Sequence, residues 1–255
     1  MAGLWRSLLF LCGLAACGAP HPLDALEPGE RGRVVRVIDG DALVLDTGQS
    51  VRLVGIEAPA RPYGDREGQP FQEEAKRLLE DMALGREVRL YYAGLTRDRY
   101  DRALAQVRTD DALGPDYWLN AEMVRKGGAR VRVYPDTARA NALLLDMERG
   151  ARENTLGLWR LSDYKVPHAG DLPGTFEGFQ LVRGRTSEMQ GSEAYGAVCE
   201  LLLEGSPLRL KIMTASASLC QLPQGTDIRA RGYVRDMRME ISHPINLEEI
   251  PPAAL

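Results

Sequence analysis

Residues 34–59 read Val34-Val35-Arg36-Val37-Ile38-Asp39-Gly40-Asp41-Ala42-Leu43-Val44-Leu45-Asp46-Thr47-Gly48-Gln49-Ser50-Val51-Arg52-Leu53-Val54-Gly55-Ile56-Glu57-Ala58-Pro59. Three aliphatic runs are broken by Asp-Gly and by Asp-Thr-Gly-Gln, which predicts three strands joined by tight turns. Ala58-Pro59 to Gly68 then reads as a polar loop. Gln69-Pro70 opens a helix whose apolar positions Phe71, Ala75, Leu78, Leu79 and Met82 recur at three and four, with Gly85 at its end. Two more strands are expected at Glu87–Tyr92 and Ala103–Arg108. A short helix at Trp118–Lys126, an extended 129–134 and a helix from about Thr137 to Glu153 follow, the last with Leu143, Leu144, Met147 and Ala151 on one face. Five strands with helices after them predict an α+β domain, a small barrel with helices packed on it.

Composition narrows the function classes. Of 255 residues, 44% are apolar and 27% charged, which excludes wholesale disorder and a collagen-like chain. No apolar run reaches the ~18 residues of a membrane-spanning helix. The net charge of −4, from 32 Lys+Arg and 36 Asp+Glu, excludes grip on nucleic acid through a broadly basic surface. Only Lys76, Lys126, Lys165 and Lys211 are lysines. The remaining cations are arginines, which suit bidentate contact with carboxylate or phosphate, although an Arg-biased genome gives the same count.

The chain ends carry a different kind of signal. Residues 1–17 have one cation, Arg6, then an apolar stretch from Leu8 that closes on Leu14-Ala15-Ala16-Cys17-Gly18. This resembles a secretory signal ending in the lipobox of bacterial lipoproteins, which implies an acylated Cys17 and an exported protein lipid-anchored at the cell envelope. Plain secretion with a chance cysteine is the alternative. Residues 18–31, rich in Pro, Gly and charge, read as a tether. Cys199 and Cys220 remain after Cys12 and Cys17 are assigned. In an oxidising compartment such leftovers tend to pair; otherwise they are two buried thiols. A linker at 165–175 leads to mostly strand-like runs over 176–255: a second, all-β domain, again of five strands.

Four features of residues 32–164 point to chemistry: Asp39-Gly40-Asp41, the Arg52-to-Pro59 segment, Thr96-Arg97-Asp98-Arg99-Tyr100-Asp101-Arg102, and Gly157-Leu158-Trp159. Taken singly each reads as a turn or a solvated face. In this order and spacing they resemble the staphylococcal nuclease (thermonuclease-like) family over residues 33–160. The resemblance implies a five-stranded OB barrel with three helices and Ca²⁺-dependent hydrolysis of DNA or RNA phosphodiesters. It places metal carboxylates at Asp41 and Glu57, a metal-binding backbone carbonyl at Ala58, and phosphate-clamping arginines at Arg52 and Arg102. Arg99, Tyr100 and Tyr134 match positions near the nucleotide's phosphate. A hard cation takes oxygen ligands, and a phosphorane needs fixed planar cations.

Two positions depart from the family. Glu57 stands where Asp is usual, a difference of one methylene that Ca²⁺ tolerates. Ala60 stands where the general-base Glu is expected; loss of a positioned base costs ~10²–10⁴-fold in rate. Asp65, Glu67 and Glu73 are the nearby acids. Two readings follow: an exported nuclease, or a barrel that keeps the shell of the site and only binds nucleic acid or protein. The C-terminal domain is OB-like by its strand count. With nine Lys/Arg against eleven Asp/Glu over 165–255 and few aromatics, it reads as an accessory or protein-contacting barrel rather than a single-strand binder.

Overall fold

A computed structural model describes residues 20–112, 114–173, 176–191 and 196–251. Cys17 and the rest of the 1–17 segment lie outside the described residues. The first unit contains β1 (Glu27–Asp39), β2 (Ala42–Leu45), β3 (Ser50–Leu53), β4 (Ile56–Glu57), α1 (Gln72–Ala83), β5 (Glu87–Tyr92), β6 (Ala103–Thr109), α2 (Leu119–Arg125), β7 (Arg130–Val131) and α3 (Asn141–Glu153). Strands β1-β2-β3-β6-β5 form a closed barrel. Closure depends on the long β1, whose first half pairs with β5 and whose second half pairs with β2 across register shifts. β3 lies parallel to β6, with Arg52 level with Leu104. Val34, Leu43, Val51, Leu53, Leu90 and Val107 fill the interior, and α1 lays Ala75, Leu79 and Met82 into the same core.

The second unit repeats that wiring. It contains β8 (Gly178–Gly191), β9 (Ala197–Leu203), β10 (Arg209–Met213), β11 (Asp227–Arg235), β12 (Arg238–Ile241) and β13 (Leu247–Glu249). β8-β9-β10-β12-β11 closes through the β11–β8 pairing, β10 is parallel to β12, and β13 flanks β11. Both barrels therefore run in strand order 1-2-3-5-4 with one parallel pair. The crossover from third to fourth strand holds α1 in the first and a 3₁₀ stretch, Thr214–Gln221, in the second. Cys199 on β9 is disulfide-bonded to Cys220 in that stretch, with Cα atoms 6.2 Å apart. The paired alternative is the one the fold adopts.

Three expectations are corrected. Residues 22–31 are no free tether: Pro22–Ala25 forms a 3₁₀ turn, Leu23 is fully buried, and Glu27–Arg33 zips onto β5. The Gly content misled because Gly29 sits where a side chain would strike Tyr92, whose ring lies 2.5 Å from the position of a Cβ. The third helix starts at Asn141, since Pro135–Thr137 forms its own 3₁₀ turn, and Leu143 is exposed while Leu144 and Leu145 are buried. Within 165–175, Ala169 is buried and His168 bridges Arg183 of β8, so this linker is fastened to the second barrel.

The barrels are joined by buried arginines. Arg231 of β11, 1% exposed, contacts Glu148 of α3 at 2.8 Å and Glu248 of β13 at 2.6 Å, and donates to the Val131 carbonyl at 3.1 Å. Arg130 of β7 donates to the Phe179 carbonyl at 3.1 Å and stacks over Tyr164 and Phe179. Arg231 meets two carboxylates, as a buried charge requires, whereas Arg130 rests on a carbonyl and two aromatic rings and its Nε has no partner.

Candidate active site

The site begins with a close approach. A Cβ on Gly40 would sit 2.7 Å from the Ala58 Cβ and 2.9 Å from the Ala75 Cβ, so glycine lets α1 and the segment after β4 press onto the β1–β2 turn. That packing buries Asp41, at 7% exposure. Gly55, at φ +80°, makes the turn from β3 into β4 that swings Glu57 back toward Arg52.

The carboxylates and the guanidinium then lock together. Asp41 Oδ2 accepts from the Ala58 amide at 2.6 Å, and Asp41 Oδ1 pairs with Arg52. Arg52 Nη2 donates to Glu57 Oε2 at 3.1 Å and to the Ile56 carbonyl at 3.2 Å. Burial pushes the Asp41 carboxyl up to about 8; Asp39 and Glu57 add to the shift, while Arg52 and the Ala58 amide oppose it. Burial works against the Arg52 guanidinium, but Asp41, Glu57 and Asp39 outweigh it and hold its pKa above the ordinary value. Asp39, Asp41 and Glu57 thus stand around two cations, Arg52 and Arg132.

Asp41, Arg52, Glu57 and Ala58, the positions that the resemblance singled out, lie together in the structure. Arg102 is placed otherwise. Its Nε and Nη2 both bond Asp98 at 2.7 Å, which ties it into its own loop, although it lies only two positions before Leu104, the neighbour of Arg52. Tyr100 is exposed and flanked by Arg99 and Arg102 at 4.8 and 5.8 Å. Tyr134 lies under the guanidinium of Arg132 at 4.8 Å. Ala60 offers only a methyl group. Its amide donates to Gln69 Oε1 at 2.9 Å and its carbonyl accepts from the Gln69 amide, pinning the base of the 60–69 loop. Asp65 and Glu67 lie exposed in that loop, where Tyr63 and Arg66 bridge each other, and Glu73 bonds Gln72 rather than the cluster.

Sequence reasoning missed Arg132. Its Nη1 donates to Glu57 Oε2 at 2.7 Å, sharing that oxygen with Arg52. The available signal was the Arg130-Val131-Arg132 alternation, which places the two arginines on the same side of an extended segment.

Comparison with known proteins matches the residues of the first barrel. A family profile described as "Staphylococcal nuclease homologue" matches residues 50–161. The chain is 31% identical over 134 residues to the thermonuclease of Staphylococcus intermedius, covering 51% of this chain and 77% of that protein. It is 34% identical over 139 residues to an uncharacterized endonuclease of Escherichia coli, covering 53% and 81%. A probable endonuclease lcl3 of Schizosaccharomyces japonicus is 33% identical over 126 residues, covering 45% and 50%. The second barrel lies beyond the residues that the profile matches. With its barrel order, its Asp41–Arg52–Glu57 cluster and these relatives, the chain belongs to the staphylococcal nuclease family.

Proposed function

We propose that the first barrel hydrolyses phosphodiester bonds in DNA or RNA. The observation that carries this reading is the gathering of a buried Asp41 and a half-buried Arg52 and Glu57 into one ion-paired cluster. Desolvated charges at a cleft have far larger electrostatic effect than the same charges in water. Arg52 is the residue positioned to meet a phosphate oxygen, because its planar fork is already oriented by Asp41 and Glu57. Arg102 acts once its Asp98 partner is exchanged for phosphate.

Ca²⁺ fits the donor set. The donors are hard oxygens, the Asp41 and Glu57 carboxyl groups and a backbone carbonyl gathered beside one turn. Asp41, Glu57 and the Ala58 carbonyl would hold the ion. Its chemistry there is Lewis-acid polarisation of the phosphoryl group. Among the described residues no three His, Cys, Asp or Glu side chains form a ready-made metal cage, so the Ala58 carbonyl and solvent would have to supply the remaining ligands. Arg52, neutralising the cluster from beneath, orients both carboxylates before substrate arrives.

A second reading, binding without turnover, is favoured by one observation: Ala60, pinned to Gln69, supplies no base. Plasmid and single-strand digestion with Ca²⁺ or chelator separates the two. Cleavage that is sensitive to chelator and to Arg52→Ala supports the enzyme, and its absence supports the binding module. We also propose that the protein is exported and held at the membrane through Cys17, on the strength of the Leu14-Ala15-Ala16-Cys17 motif. Cys17→Ser should release it from membranes; continued attachment would contradict the anchor.

A further inference from the structure

An open cavity of about 850 Å³ lies between the two barrels. Its wall on the second barrel is two register rows on the outer face of the sheet. Pairing sets Lys211 beside Glu240, Glu240 beside Tyr233, and Tyr233 beside Phe179. The next row sets Arg238 beside Arg235. The facing wall belongs to the nuclease barrel and carries Arg132 and Tyr134. Lining the cavity, Arg132, Lys211, Arg235 and Arg238 outnumber the acids Asp236 and Glu240. Two rings, Tyr134 and Tyr233, are 45% and 48% exposed. Cations interleaved with exposed aromatic faces are the makings of a single-strand site, for which OB barrels take ~4–16 nucleotides.

The cavity also connects to the carboxylate cluster. Arg132 lines it, bonds Glu57 at 2.7 Å, and stands over Tyr134, Phe179 and Tyr233 at 4.8, 5.5 and 5.8 Å. One residue therefore touches both the candidate active site and every aromatic ring of the cleft wall. We propose that this cleft binds the single-stranded continuation of the substrate, an inference that rests on the nuclease reading of the first barrel. A strand with one phosphate at Arg52 runs past Arg132, stacks bases on Tyr134 and Tyr233, and sets its phosphates against Lys211, Arg235 and Arg238. Paired bases in a duplex expose no faces to those rings, so the cleft selects single strands. The second barrel needs no overall positive charge for this, because the cations are gathered on one face.

The test is fluorescence anisotropy of the full chain with a labelled oligodeoxythymidylate and with a labelled duplex, in chelator so that nothing is cut. Wild type should bind the single strand more tightly than the duplex. Tyr233→Ala, and separately Lys211→Glu with Arg235→Glu, should each raise the single-strand Kd about tenfold or more and narrow that preference. Both changes are on the outer face, and the circular dichroism melt reports whether the barrel persists. A single-strand Kd within about twofold of wild type in both variants, or an equal loss on the duplex, overturns the proposal. Cleavage by wild type, compared with Arg52→Ala, is scored separately. Cleavage with unmoved Kd removes the cleft alone, and weakened Kd without any cleavage removes the nuclease reading alone.

Discussion

The third strands of the two barrels place a cation at the same step, and the two cations have different fates. Arg52 has Ala42 on one side and Leu104 on the other, and takes its acids from outside the sheet: Asp41 at the β1–β2 turn and Glu57 on β4. Lys211 has Glu200 and Glu240 as strand neighbours. In the first barrel α1 and the segment after β4 close over Asp41 and leave Glu57 half-buried; in the second, Glu200 is buried beside Arg209 while Glu240 stays on the open face. One wiring diagram thus yields two acids gathered on a single arginine in one barrel and a row of charges running across the strands in the other. Strand order alone therefore does not decide which barrel carries a reaction site.

That contrast can be broken in several ways. The largest change is expected from Ala60→Glu, which supplies a carboxylate beside the covered cluster. Turnover of a single-stranded substrate should rise by ~10²–10⁴-fold, and no rise would mean the cluster is not arranged for catalysis. Next is Arg231→Met, which leaves Glu148 and Glu248 buried without their shared cation. Loss of ~3–5 kcal/mol is expected in urea unfolding, with the single transition splitting into one for each barrel. Reduction of Cys199–Cys220 should cost roughly 3 kcal/mol in the chain-entropy account, and only in the transition of the second barrel.

The smallest effect is a pH dependence at the joint. Burial alone would raise Glu248, but Arg231, with Arg229 and Arg152, outweighs it and holds the carboxyl below its ordinary 4.5. A depressed acid adds stability that is full above pH 4.5 and lost as pH falls through the folded-state value. Acid titration followed by fluorescence of Trp159, which packs near the joint, should show the barrels loosening below pH 4.5, and Glu248→Gln should remove that step.

Much of this was legible in the sequence, for identifiable reasons. The strands of 34–56 alternate or run apolar between turn residues, and Asp41, Arg52 and Glu57, singled out by the family resemblance, lie within or beside those strands. The hidden parts depend on distant partners. Arg132 and Arg231 look like any arginine in an extended segment; only Glu57, Glu148 and Glu248, far away in the chain, give them their roles. Gly40 looked like a hairpin glycine, yet its φ is not positive, and its use is to admit Ala58 and Ala75. Leu23 and Leu26 were masked by the Pro and Gly around them, although both are buried in the first barrel.

The central claim is that the covered cluster of the first barrel is the reactive one. It is tested most directly by steady-state cleavage of a labelled single strand by wild type and Arg52→Ala, with Ca²⁺ and with chelator. The account predicts Ca²⁺-dependent cleavage in wild type and a loss of ~10²–10³-fold in kcat for the variant. Cleavage indifferent to both Arg52 and chelator would contradict it.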